Sequence, residues 1–163
     1  MKSVMSLVMV FLFSTVTAQR NYATPGNEPL PEKLQNLRQA ILVNSFPQKI
    51  DPVKIEDQFY WKHNTAILCT ESDIEIIEFG AYLFYNGQWN LRKSYPLKEL
   101  DKNFGTKKRQ LDRAQPYTWN NNWRVGPQLF GGWALWYFIG KTTTGEVVCG
   151  YEKIETTANL LNN

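Results

Sequence analysis

An apolar and aromatic stretch and a stretch of alternating polar and apolar residues, joined by Asn86-Gly87, give the clearest local prediction from this sequence. An Asn-Gly pair favours the two-residue turn of a β-hairpin, because both turn positions need a positive φ. We therefore predict strands over residues 81–85 and 88–92, with the first strand extended upstream over residues 74–79 and a bulge at Gly80. The expected pairing is Tyr85 with Gln88, Phe84 with Trp89, Leu83 with Asn90, and Tyr82 with Leu91. That register places Tyr82, Phe84, Trp89 and Leu91 on the predicted core face.

A second hairpin is predicted between residues 133–139 and 146–154, turning around residues 142–145. The first of these strands is apolar on both faces, which is typical of a central strand that is covered above and below. Short apolar runs over residues 66–69 and 147–149 also predict strands. Between the hairpins, Leu97, Leu100 and Phe104 favour one face of a short helix that ends at Gly105.

The spacing of Leu34, Leu37 and Ile41, with Leu30 before them, predicts an amphipathic helix over residues 31–44. Pro31 suits the first position of a helix. We expect the apolar stripe to pack on the sheet, the alternative being a mobile or partner-binding helix. These elements predict an α+β or mainly β fold: a small antiparallel domain, sandwich-like or with a curved sheet, with one N-terminal amphipathic helix.

Residues 1–18 carry the pattern of a secretory signal peptide. Lys2 gives a positive start, an apolar run covers residues 4–13, and Val16-Thr17-Ala18 offers small residues at the cleavage site. We expect cleavage near Ala18-Gln19 and a secreted or periplasmic mature protein without a membrane span. A retained apolar helix is the alternative, which the shortness of the run disfavours. A flexible leader (residues 19–30), a single globular domain (31–157) and a C-terminal tail (158–163) would follow.

The charge balance argues against a nucleic-acid partner. The chain has 18 basic and 15 acidic residues, a formal net charge of +3. The main basic cluster is Lys107-Lys108-Arg109 with Arg113, which we interpret as a solvated surface.

The two cysteines, Cys69 and Cys149, lie in predicted strands. In an oxidising compartment an even pair predicts one disulfide, and two buried free thiols are the alternative. A structural zinc site is disfavoured because it needs four ligands and the chain has one histidine, His63. We predict no metal and no cofactor.

The sequence gives little sign of a catalytic site. His63 has no nucleophile motif beside it, so we expect a structural histidine. Two carboxylates could hydrolyse a glycoside, and four acidic residues lie close together in the sequence: Glu71, Asp73, Glu75 and Glu78. Alternation with Ile74 and Ile76 instead indicates the solvated face of a strand. We predict no catalytic residue.

An aromatic and Asn-rich segment over residues 117–124 is the candidate binding site. Its candidate residues are Tyr117, Trp119, Asn120, Asn121, Asn122, Trp123 and Arg124. Three consecutive Asn residues favour a turn. Aromatic faces can stack on sugar rings while amide and guanidinium groups bind the hydroxyls. The alternative is a loop that two tryptophans anchor to the core.

These observations lead us to expect a non-enzymatic binding domain that recognises a glycan or another component of the cell envelope. A protein–protein interaction or inhibitor module is the first alternative, with a secreted or envelope protein as the partner. A carboxylate-dependent hydrolase is the second.

Overall fold

The computed structural model describes residues 24–161, and the fold over this range is mainly β. The predicted signal peptide and residues 19–23 of the predicted leader lie outside the described residues. The helices are α1 (Glu32–Gln35) and α2 (Lys98–Phe104). The strands are β1 (Arg38–Gln39), β2 (Ile41–Phe46), β3 (Lys49–Ile50), β4 (Val53–Ile55), β5 (Gln58–Trp61), β6 (Asn64–Cys69), β7 (Ile74–Tyr85), β8 (Gln88–Ser94), β9 (Gln110–Leu111), β10 (Tyr117–Trp119), β11 (Arg124–Gly126), β12 (Gly132–Thr142) and β13 (Val147–Thr156).

Within residues 24–161 the strands form three sheets. The large sheet has the order β1-β13-β12-β7-β8, with β3 added on β13 and β9 on β7. Two smaller sheets have the orders β10-β6-β2 and β11-β5-β4. Strands β1 and β3 pair with β13 in parallel, and the other pairs are antiparallel. This arrangement is consistent with a sandwich-like β domain. No helix within the described range is long and apolar enough to cross a membrane.

The first predicted hairpin is confirmed in its strands, its turn and its register. Asn86 and Gly87 have φ of 54° and 72°, and all four predicted residue pairs are observed between β7 and β8. The irregularity expected at Gly80 lies one position further on, between Ala81 and Tyr82.

The predicted core face of that hairpin is wrong in part. Tyr82 and Trp89 belong to the smaller of two apolar clusters, and Leu91 is 52% exposed. Leu83 and Ala81, on the opposite face, join the larger cluster instead. The reason is that the large sheet is covered on both faces, and the small sheets lie over the Leu83 side.

The second hairpin is also confirmed, as β12 and β13, and β12 is the central strand that its sequence predicted. It lies between β13 and β7. Trp136 and Phe138 are buried in the larger cluster, while Leu135 and Tyr137 are buried in the smaller one.

Helix α2 also matches its prediction. Leu100 and Phe104 are buried, and Leu97 packs against the same core. Gly105 ends the helix with a φ of 73°, and its N–H donates to the Asp101 carbonyl at 3.0 Å. This left-handed position is one that glycine adopts without steric cost.

The long helix predicted over residues 31–44 is wrong beyond its first turn, since α1 ends at Gln35 and β2 begins at Ile41. Burial along β2 alternates strictly: Ile41, Val43 and Ser45 are buried, and their neighbours are exposed. Strand β2 crosses the large sheet at Gly150, where an added Cβ would lie 2.2 Å from the Ile41 carbonyl oxygen. Glycine at this crossing lets the two backbones touch, so tertiary packing overrides the helical spacing.

The predicted disulfide between Cys69 and Cys149 is also wrong, because both cysteines are buried and unbonded. Cys69 belongs to the larger apolar cluster and Cys149 to the smaller one, on opposite faces of the large sheet. The Cys69 thiol contacts the Leu111 carbonyl at 3.5 Å, and the Cys149 thiol contacts the Leu37 carbonyl at 3.6 Å. Burial raises the pKa of both thiols.

Candidate functional site

A cavity of about 290 Å³ lies beside the turn of the Asn-rich segment, against the larger-cluster face of the large sheet. Its walls come from distant parts of the chain. Strand β8 supplies Arg92, the loop after it Tyr95, and β12 supplies Ala134 and Trp136. The volume is near the lower limit of small-molecule sites, roughly 300 Å³.

The Asn-rich segment is held in place by two hydrogen bonds to β6. The Asn121 N–H donates to Asn64 Oδ1 at 2.8 Å, and Asn122 Nδ2 donates to Thr65 Oγ1 at 3.0 Å. Asn121 has a φ of 59°, a left-handed conformation that Asn tolerates better than most residues. Strands β10 and β11 on either side pair with β6 and β5. The segment is therefore a defined turn, as its three asparagines predicted.

Trp119 is a core anchor. It is half-buried, and its ring lies edge-on to Tyr95, Phe104 and Trp136, with centroid distances of 5.9, 5.8 and 5.7 Å. It packs against the larger apolar cluster. Trp119 thus fixes Trp136 and Tyr95, two residues of the cavity wall, without lining the cavity itself.

Trp123 differs from Trp119 in being 40% exposed while lining the cavity. Its ring meets Tyr60 edge-on at 6.3 Å, and Lys62 Nζ lies 4.8 Å from the ring centroid. Trp123 belongs to neither of the two apolar clusters among the described residues. An exposed tryptophan at a cavity rim is suited to ligand stacking.

Two arginines, Arg92 and Arg124, line the cavity. The Arg124 guanidinium lies 3.7 Å from the centroid of Phe130 and 5.6 Å from that of Trp61, so its position is fixed by aromatic contacts. Arg92 is exposed, and it forms no ion pair with a carboxylate within residues 24–161. Burial raises the pKa of Tyr95, and the nearby charge of Arg92 opposes that rise.

His63 is the buried polar group of the cavity wall. It is 4% exposed, and its Nδ1 lies 3.3 Å from the Trp61 carbonyl oxygen. A carbonyl only accepts, so Nδ1 carries the proton and Nε2 is left as an acceptor. Nε2 is buried without a hydrogen-bond partner in the described structure. Burial lowers the pKa of His63 to about 4, partly offset by the bond to Trp61.

The predicted site residues therefore divide into three groups. Asn122, Trp123 and Arg124 line the cavity, while Trp119 and Asn121 hold the wall or the turn. Tyr117 and Asn120 do not line it: the Tyr117 hydroxyl donates to Asp112 Oδ2 at 2.9 Å, and Asn120 is exposed. The sequence analysis missed several wall residues, of which Arg92, Tyr95 and Trp136 are the most prominent. Trp136 lay in a segment already noted for its aromatics, whereas Arg92 carried no distinguishing signal.

The four acidic residues considered for hydrolysis lie elsewhere, each engaged by another group. Glu71 pairs with Arg38, and Glu75 pairs with Arg109, both at 2.6 Å. Asp73 accepts from a backbone N–H. Burial raises the pKa of Glu78, but hydrogen bonds from Lys33 and Tyr137 outweigh this effect and lower it.

In comparisons with known proteins, no family model and no curated protein matched the chain.

Proposed function

We propose that this protein is a secreted or periplasmic, non-enzymatic binding domain that takes a small ligand, or one residue of a glycan, into the cavity beside residues 120–124. The observation that carries the proposal is the convergence of an exposed tryptophan, two arginines and an unpaired buried histidine on one cavity. These four residues, Trp123, Arg92, Arg124 and His63, come from three separate segments of the chain. Concave sites with a few convergent polar groups are the usual form of ligand sites.

The rigidity of the wall supports binding more than chemistry. Trp136 and Tyr95 stack at 5.6 Å, and Trp119 contacts both rings edge-on. Asn122 is fixed to Thr65 beneath the turn. A wall that is already ordered loses little conformational entropy when a ligand binds. No carboxylate lies among the described wall residues, so the cavity lacks the acid pair that glycoside hydrolysis requires.

A titration of the mature protein with cell-wall fragments and soluble polysaccharides tests the proposal. Intrinsic tryptophan fluorescence serves as the screen, since Trp123 and Trp136 both line the cavity. Isothermal titration calorimetry then measures each hit against Trp123→Ala, which removes the exposed ring without removing a core anchor. We expect about a fivefold loss of affinity or more, because an aromatic stacking contact contributes on the order of 1 kcal/mol.

Leu42→Ala is the matched control. Leu42 is 60% exposed on the outer face of β2 and does not line the cavity. Its truncation removes a comparable exposed apolar group, so affinity should be unchanged. Equal losses in both variants, or full affinity in Trp123→Ala, would argue against the cavity as the binding site.

A further inference from the structure

We propose that the small sheet β11-β5-β4 binds a second copy of this chain, and that the protein forms a two-fold symmetric dimer through the side of this sheet that points away from the core. We call this side the outer face. Its centre is formed by Val53, Ile55, Gln58, Tyr60 and Val125, with Lys62 at one end and Glu56 and Asp57 at the other. The proposal does not depend on the ligand proposed above.

The direction of the outer face follows from the alternation of side chains along β5. Trp61 is fully buried, and Phe59 packs against the larger apolar cluster. Because successive side chains of a strand point to opposite sides, Tyr60 lies on the other side of the sheet. Val53 and Val125 pair with Tyr60 from β4 and β11. These three residues therefore form one row across the sheet, on the side away from the core.

The outer face is apolar, although a sheet that packs one side on the core normally carries polar residues on the other. The row across the sheet is two valines and a tyrosine, and Ile55 lies beside it on β4. Ile55 and Val125 are 41% and 47% exposed. Single exposed apolar side chains are ordinary, whereas neighbouring ones are typical of a protein–protein contact. The outer face is therefore suited to burial against another protein surface.

The charges at the two ends of β5 indicate what that surface carries. Glu56 and Asp57 form the turn before β5, and Lys62 directly follows the strand. All three are exposed, and none forms an ion pair within residues 24–161. At about 3.3 Å per residue the strand holds the two ends roughly 15 Å apart, too far to pair within one chain. A complementary partner has an apolar centre, a negative group opposite Lys62 and a positive group opposite the turn.

A second copy of the outer face has this arrangement. We infer a two-fold axis that lies between the two faces and runs across the strands, so that the two β5 strands are antiparallel. Lys62 of each copy then meets Glu56 and Asp57 of the other, and Tyr60 meets Tyr60 at the centre. An axis along the strands would bring Lys62 to Lys62, which like-charge repulsion disfavours. Closed two-fold dimers are also the commonest assemblies of identical chains.

The concentration dependence of the molecular mass is the first test. The outer face is smaller than a standard interface, which has roughly 20–30 residues on each side, so we expect a Kd on the order of 10 to 100 μM. Sedimentation equilibrium of the mature protein from about 5 to 500 μM covers this range. Added salt should shift the equilibrium towards the monomer, because the end contacts are ionic. A monomer at every concentration would overturn the proposal and leave the outer face to a different protein.

Ile55→Asp places a charge in the apolar centre and should weaken dimerisation about tenfold or more. Ile55 does not line the cavity, so this variant separates dimerisation from ligand binding. Leu42→Asp is the matched control, since Leu42 is 60% exposed on β2 of the other small sheet and the change in net charge is the same. Circular dichroism shows whether both variants are folded. Equal dimerisation of the two variants would contradict the assignment of the interface.

An exchange of charges tests the antiparallel arrangement. Lys62→Glu makes both ends of the outer face acidic, and the double variant Glu56→Lys, Asp57→Lys makes both ends basic. Each protein alone should dimerise about tenfold more weakly or worse, because two attractive contacts become repulsive. An equal mixture should recover dimerisation, since an acidic end then meets a basic end at both places. Lys62→Glu also removes the contact of Lys62 with the Trp123 ring, but damage of that kind is not repaired by mixing. Undiminished dimerisation of the separate variants, or a loss that mixing does not recover, would overturn the arrangement.

Discussion

Replacing His63 by Gln should change how stability depends on pH. In the folded protein burial lowers the pKa of His63 to about 4, from an ordinary value of 6.5. Well above pH 6.5 the imidazole is uncharged in both the folded and the unfolded chain, and the histidine then contributes no pH dependence. As the pH falls from 6.5 towards 4, the unfolded chain takes up a proton that the folded protein excludes, so stability falls.

The expected magnitude follows from the two pKa values. Relative to His63→Gln, the original protein should lose about 2 kcal/mol of unfolding free energy between pH 7 and pH 5, and about 3 kcal/mol by pH 4. The loss is not compensated locally, because Arg92 and Arg124 line the same cavity and no carboxylate does so among the described residues.

Urea unfolding of both proteins at a series of pH values measures this difference. Other titrating groups, including Glu78 and Glu146, contribute equally to both curves and cancel in the subtraction. The lost bond to the Trp61 carbonyl lowers the stability of His63→Gln by an amount that does not depend on pH. The test is therefore how the difference in unfolding free energy between the two proteins changes with pH, and not its absolute size. Parallel curves from pH 7 to pH 4 would refute the account of a buried, neutral His63.

Three further predictions concern the fold. Gly150→Ala should destabilise the protein by about 2 kcal/mol or more in urea unfolding, because its Cβ would overlap the Ile41 backbone, while Gly26→Ala, whose nearest contact is 3.6 Å, should cost little. Trp119→Ala should lower the free energy of unfolding by about 3 kcal/mol or more, and Trp123→Ala should lower it by well under half of that. Equal losses of stability would contradict the description of Trp119 as a core anchor and Trp123 as a residue of the cavity rim. Thiol titration of unreduced, denatured protein should give two free thiols per chain, and a value of zero would contradict the unbonded state of Cys69 and Cys149.

Local turn chemistry made the two hairpins predictable. The two central positions of the first hairpin turn require a positive φ, and Asn86 and Gly87 both adopt one. This short turn sets the register of four residue pairs without any tertiary information. Gly105 likewise marks the end of α2. These signals lie within a few residues of the structures they specify.

The wrong predictions, the long helix and the disulfide, concern features that depend on contacts between distant parts of the chain. Leu34, Leu37 and Ile41 have helical spacing, but β2 forms because Gly150 lets it lie against the large sheet. The two cysteines sit in strands, as predicted. Cys149, however, lies in the large sheet, and Cys69 lies in β6 of a small sheet on the other side of it, an arrangement that periodicity cannot reveal for segments so far apart in the chain.

The candidate site was predictable only in the part that one segment supplies. Asn122, Trp123 and Arg124 stood out by composition and do line the cavity. Arg92 and His63 join them through the pairing of other strands, and their local sequence is ordinary. The unpaired Nε2 is a property of the assembled structure alone.

The central claim, that the cavity beside residues 120–124 binds a ligand, is tested most directly by the imidazole NMR signals of His63. The chain has one histidine, so its ring protons are assigned without ambiguity. Addition of any glycan fragment that binds in the fluorescence screen should shift these signals saturably in the original protein, and only at correspondingly higher concentrations in Trp123→Ala. A ligand that binds while the His63 signals stay in place, or a panel in which no compound moves them, would contradict the account.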